Sequence, residues 1–254
     1  MKKSCLTIAA IGVLTATGLG TAPAAELWVL TGMGPSTGVY ELASGFEKAT
    51  GNQVKVTFEN AQSLAQKLDS NAPVDLITGG AEQIDDLIKK GKVVAGTSTV
   101  FGTAPLGLSV RMGAPHPDIS TVEKYKAALL AAKSVGYSRG CSGTNTAKGI
   151  EELGITDALK DKVKLTAGGP VAEYLAKGDF ELGIQQTNVL VGIAGTDLVG
   201  PLPGFTNKPC PFNVGLMSAS KQPDPARQLI RFMTDPNSGS YLQKGYMEPV
   251  RSRG

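Results

Sequence analysis

Histidine is nearly missing from this 254-residue chain: His116 is the only one, held between Pro115 and Pro117. A triad or a histidine-built metal centre would have to recruit that imidazole, and nothing beside it resembles a nucleophile elbow. His116 reads as a residue of a proline-bent loop. Cysteine is scarce too, three residues in all, and no His/Cys/carboxylate group has the spacing of a metal site. A GxxxxGK[ST] phosphate loop is missing. Aromatics make up 6% of the chain and no basic run occurs, which excludes nucleic acid, whose binding needs a clustered positive footprint. The carboxylate pairs Asp85/Asp86 and Glu151/Glu152 fall in helical runs and read as solvated faces. These gaps disfavour an enzyme and predict neither cofactor nor metal.

Long apolar runs are confined to the start. Lys2 and Lys3 precede an apolar core, Cys5–Gly18, too short to cross a bilayer easily, and Ala22-Pro-Ala24 fits a small-x-small cleavage site. Residues 1–24 therefore read as an export signal. Cys5 stands at the front of the apolar run, where a lipoprotein cysteine would not. Without Lys2 and Lys3, 23 basic residues remain against 22 acidic, a charge near +1. Cys141 and Cys210 remain as well. An oxidising compartment favours a disulfide between them, but the sequence leaves their separation open.

What the chain has in quantity is alternation. Leu27–Leu30, Gln53–Phe58 and Val74–Ile77 read as strands. Each is followed by a polar or Gly-rich turn and a helical pattern, at Thr37–Ala49, from Leu64, and at Ala81–Lys90. Repeated strand, turn and helix predict an α/β fold with parallel strands and crossover helices. Leu106–Val110, Val135–Tyr137, Val163–Leu165, Leu182–Ile184 and Phe212–Met217 continue the strands, and Pro225–Thr234 and Gly239–Gly245 close the chain as helices. Most strand ends carry Gly, Ser, Thr, Asn or Gln, where open α/β sheets bind ligands.

The turn from Tyr137 to Asn145 is the richest of these. It precedes a helix-like run, Thr146–Leu153, so free N–H groups and a positive helix end would meet there. Ser138, Ser142 and Thr144 add hydroxyls, and Arg139 adds a planar fork suited to carboxylate. This suits a small anion. The same residue types also make an ordinary N-cap, and the loop alone does not choose between the two.

Several stretches together resemble one family. They are Phe46-Glu-Lys-Ala-Thr-Gly51, Leu64-Ala-Gln-Lys-Leu68, Ala72-Pro-Val-Asp75-Leu-Ile77, Leu87-Ile-Lys-Lys-Gly91, and Lys177-Gly178 with Glu181-Leu-Gly-Ile184. The chain is similar to the type II solute-binding proteins of ABC importers, in the molybdate-binding (ModA-like) superfamily. Where molybdate binders typically carry serines, Gly34 and Asn60 or Ala61 stand here, and Gln186 replaces a tyrosine. Thr31-Gly-Met-Gly-Pro-Ser36 instead resembles the loop of the accessory-colonisation-factor branch, whose members bind small carboxylate or phosphate-bearing anions.

The resemblance implies two α/β lobes, each a mixed, mostly parallel sheet flanked by helices, with a ligand cleft between them. Residues 25–103 plus 204–254 would form the first lobe and 104–203 the second, with hinges near Gly102–Ala104 and Leu202–Gly204. It implies first-lobe ligand contacts at Gly34, Pro35, Ser36, Asn60, Gln62 and Ser63, with Thr78 and Gly79 behind them. Thr103 would lie at the join. The second lobe would supply Ser138, Arg139, Ser142, Gly143, Thr144, Gly168, Gly169 and Gln186. The implied partners are a small anionic solute and an inner-membrane ABC permease, for a monomeric periplasmic protein. An organic di- or tricarboxylate is the expected solute, because metal oxyanions can be held by neutral donors alone and Arg139 is charged. A molybdate, tungstate or sulfate binder is the alternative, and a secreted adhesin or antigen without a transport role is the reading of another class.

Overall fold

The computed structural model describes residues 24–59, 61–70 and 72–250, with only the backbone of Ala61 and Gln62. All of the expected leader but Ala24, and Asn60 entirely, lie outside the described residues. In chain order the first elements are β1 (Glu26–Thr31), α1 (Ser36–Thr50), β2 (Gln53–Phe58), α2 (Ala61–Asp69), β3 (Leu76–Gly79), α3 (Ala81–Lys89) and β4 (Thr99–Ala104). Pro105 then turns the chain into β5 (Leu106–Arg111), α4 (Val122–Ala131), β6 (Val135–Tyr137), α5 (Cys141–Glu152) and α6 (Thr156–Leu159). Next come β7 (Val163–Leu165), α7 (Val171–Lys177), β8 (Leu182–Gln186), α8 (Thr187–Leu190) and β9 (Thr196–Pro201). A 3-10 turn, Gly204–Thr206, returns it to β10 (Cys210–Leu216), α9 (Pro223–Thr234) and α10 (Gly239–Lys244).

Two five-stranded sheets result, ordered β2-β1-β3-β10-β4 and β7-β6-β8-β5-β9. Both are mixed. In the first, β1 pairs parallel with β2 and β3, while β10 runs antiparallel to β3 and β4. In the second, β6 pairs parallel with β7 and β8, while β5 runs antiparallel to β8 and β9. The molecule is thus a two-lobed α/β protein. Its central strands β3 and β8 are buried along their whole length, whereas β2, at an edge, is half exposed.

The short motifs in the sequence are the fold's fasteners. In Phe46-Glu-Lys-Ala-Thr-Gly51, Phe46 is 1% exposed, a burial worth about 1.5–3 kcal/mol. The Glu47 carboxylate accepts from the Val54 N–H at 2.7 Å and so ties α1 to β2. Gly51 ends α1 at φ 76°, donating to the Glu47 carbonyl, a conformation that glycine adopts without a Cβ penalty. Asp75 is likewise buried, accepting from the Trp28 N–H at 2.9 Å and the Ser220 hydroxyl at 2.6 Å. It clasps β1 to the segment following β10.

One local reading changes. Helix α5 starts at Cys141, five residues before the helical run expected from Thr146, so most of the polar turn is the helix's own first turn. Ser, Gly, Thr and Asn are poor helix formers in an interior, but at an N-terminus their propensity costs little. Here Asn145 and Cys141 are also anchored from outside the helix. Glu152 lies on the solvated face expected of it, where it forms an ion pair with Lys208 at 2.8 Å.

Candidate functional site

The carboxyl ends of β6, β7 and β8 face the loop after β1 across a cavity of about 230 Å³. Four segments line it: Met33 and Gly34, residues 138–142, residues 166–169, and Gln185 with Gln186. The first belongs to one sheet's loops and the other three to the other's, so the cavity lies between the lobes.

One helix, α5, starts on the cavity lining, and a second, α1, starts just behind the Gly34 loop. α1 starts after Pro35 and α5 after Gly140, and neither has a side-chain cap. The first N–H groups of α5 therefore keep donor capacity, whereas the Ser36 N–H of α1 donates to the Met33 carbonyl at 3.4 Å; both helix dipoles favour negative charge at these ends. Ser138 and Ser142 share a hydroxyl hydrogen bond of 2.9 Å at the α5 end. Arg139, exposed on the rim, is the sole charged side chain among the described lining residues. Burial holds the Tyr137 phenol above its ordinary pKa, leaving a neutral ring beneath the loop. The close approach of α5 depends on Gly143: a Cβ there would stand 1.7 Å from the Ser138 carbonyl oxygen.

External ties hold α5 in position. Cys141, its first residue, is joined by a disulfide to Cys210, the first residue of β10, with a Cα–Cα distance of 6.0 Å. Asn145 Nδ2 donates to the Lys208 carbonyl at 2.9 Å. The connection between β9 and β10 also packs its 3-10 turn against α4 and α5, and Asn207 Oδ1 accepts from the Leu106 N–H at 2.9 Å. A separate contact crosses the cleft itself. Asn188 Nδ2 donates to the Gly34 carbonyl at 2.7 Å and to the Thr37 hydroxyl at 3.0 Å.

Of the residues named from the sequence, Gly34, Ser138, Arg139, Ser142, Gly168, Gly169 and Gln186 come together here. Others do not line the cavity. Pro35 is buried as the N-cap of α1, and the Ser36 hydroxyl turns back to the Met33 carbonyl at 2.9 Å. Thr78 is fully buried inside the first sheet, bonded to Thr31, with Gly79 against Gln83. Gly143 acts through packing, and exposed Thr144 lies further along α5. Ser63 lies in α2. Thr103 instead lines a second cavity with Pro105, Leu202 and Glu248, where its backbone pairs with that of Glu248. Asn60 and the Gln62 side chain fall outside the described residues. His116 lies outside the cavity, half-exposed and 3.8 Å from Asp197.

Sequence reasoning passed over Met33, Gly140, Thr166, Ala167 and Gln185 as lining residues. For Thr166 a signal existed. It directly follows β7 as Ser138 directly follows β6, and these strands pair in register, Leu165 opposite Tyr137.

Comparison with known proteins follows the same lines. The family model described as bacterial extracellular solute-binding protein matches residues 27–247. An aconitate isomerase of Pseudomonas sp. is 27% identical, over 91% of each chain. The molybdate-binding protein ModA of Azotobacter vinelandii is 24% identical, over 87% of this chain and 89% of that one. L-phospholactate-bound PEB3, a Campylobacter jejuni protein, superposes with a TM-score of 0.70 at 12% identity, covering 88% of this chain and 100% of that one. Fold, cleft and family match agree: the chain belongs to the bacterial extracellular solute-binding protein family and has a ModA-like, type II solute-binding fold.

Proposed function

We propose that this protein captures a small organic anion with two or three carboxylates in the interlobe cleft and delivers it, in the periplasm, to an inner-membrane ABC permease. The observation that carries this reading is the uncapped N-terminus of α5 on the cavity lining, with Arg139 on the rim. Enclosing a charge costs several kcal/mol unless it is paired and hydrogen-bonded, and these groups supply both. Arg139 favours a carboxylate over a metal oxyanion, which neutral donors alone can hold, and the cavity of about 230 Å³ is open enough to admit an extended anion. The relative named for aconitate, itself a tricarboxylate, supports the same class. The Cys141–Cys210 disulfide and the leader-like start fit an oxidising, exported setting.

In this reading residues 25–103 and the chain after the 204–209 strap form one closing half, and 104–203 the other. The 204–209 strap, packed on α5, travels with the second half. Binding without chemistry is favoured because the described lining residues include no carboxylate, histidine or lysine to move a proton. A thermal-shift screen tests the proposal. Tricarballylate, trans-aconitate and succinate should raise the melting temperature with the logarithm of their excess over Kd. Stabilisation by molybdate, tungstate or sulfate alone would refute it. So would conversion of trans-aconitate to its cis isomer during incubation, followed by NMR.

A further inference from the structure

We propose that Thr166 is a ligand-binding residue whose hydroxyl engages a second carboxylate of the bound anion, making the cleft selective for polycarboxylates over single-group anions. This rests on the carboxylate reading above and extends it. Thr166 is 3% exposed, lines the cleft, and its Oγ1 has no hydrogen-bond partner. A buried hydroxyl without a partner is unusual and calls for an explanation. The other such atoms among the described residues belong to Ser109, Asn188 and Asn213, and none of these residues lines the cavity.

Thr166 also occupies a meaningful place in the second sheet. Leu165, Tyr137 and Ile184 are in register across β7, β6 and β8, so Thr166, Ser138 and Gln185 follow at one level along the sheet's carboxyl edge. The three differ in availability. Ser138 is engaged with Ser142 at the α5 end. Gln185 Oε1 accepts from the Val171 N–H at 2.7 Å, which also withdraws the first donor of α7 from the cleft. Thr166 keeps its hydroxyl uncommitted, one strand over from Ser138, a step of about 4.8 Å. An anion anchored by one carboxylate at the α5 end and extending along this sheet edge brings a second carboxylate to it.

Thr166→Val removes the hydroxyl at nearly constant shape, and Thr166→Ser retains it. Calorimetry on the full chain with tricarballylate, succinate and acetate reads the effect. The expected result is at least a tenfold loss of affinity for tricarballylate and succinate in T166V, recovery in T166S, and no change for acetate. Ligand-free T166V should melt no lower than the wild type, since no hydrogen bond is lost. Unchanged polycarboxylate affinity in T166V overturns the proposal while leaving the carboxylate reading standing. An equal loss for acetate overturns it by placing Thr166 at the anchoring carboxylate, and a lower ligand-free melting temperature overturns it by making Thr166 structural. Wild-type protein that binds none of the three overturns the carboxylate reading itself, and this proposal with it.

Discussion

Replacing Asn188 tests whether closure depends on a direct contact between the two sides of the cleft. Its side-chain amide spans the cleft, from the helical turn after β8 to the Gly34 carbonyl at 2.7 Å and the Thr37 hydroxyl at 3.0 Å. The Thr37 hydroxyl spends its own proton on the Gly245 carbonyl at 2.7 Å, so it can only accept from Asn188. Both bonds are partly buried, and each contributes about 0.5–1.5 kcal/mol net. In Asn188→Ala the closed arrangement should lose about 1–3 kcal/mol relative to an open one, a factor of about 5–150. Asn188→Asp should do more, because a carboxylate would face two acceptors. Small-angle scattering on ligand-free protein should give a larger radius of gyration for both variants. Affinity for any anion that stabilises the wild type should fall as the closed fraction falls. Thr37→Val, which removes one acceptor, should be non-additive with Asn188→Ala in a double-mutant cycle. An N188A protein with the wild type's scattering profile and affinity would refute the latch.

Other perturbations act on the frame of the site. Gly143→Ala puts a Cβ where the Ser138 carbonyl stands, and overpacking of this kind costs about 1–3 kcal/mol. Its melting temperature should drop and anion binding should weaken more than stability alone explains; wild-type values for both would show that the loop yields freely. Converting Cys141 and Cys210 together to serine removes a bridge across 69 residues of sequence. Chain entropy puts that at roughly 4 kcal/mol, so denaturant melts should shift clearly, and an unchanged midpoint would mean that the reduced chain is equally constrained. Burial pushes the Tyr125 phenol well above its usual range, so the folded state keeps a proton that the unfolded chain gives up. The stability this contributes is complete below the unfolded pKa of about 10 and declines above it by about 1.4 kcal/mol per pH unit. Tyr125→Phe should show a shallower alkaline decline in urea melts, and identical slopes would contradict the assignment.

The strand and helix periods, the glycine stops and the Phe46–Gly51 and Ala72–Ile77 motifs were enough to specify an α/β chain of solute-binding type. That information is local: period-2 and period-3.6 patterns say which face is buried, and Gly51 says where a helix ends. Ser138, Arg139 and Ser142 were legible for the same reason, as donors at a helix start. What needed the third dimension is which strand ends face each other. Thr78 and Ser138 both follow apolar strand residues, yet one hydroxyl is spent inside the first sheet and the other opens on the cleft. Thr166 looks like an ordinary turn residue until strand register sets it beside Ser138. Asn188, Gly34 and Thr37 meet only when two sheets far apart in sequence are brought together. Local pattern carries the elements because burial acts residue by residue. Pairing, register and contact across the cleft belong to distant segments, and only the packed molecule decides them.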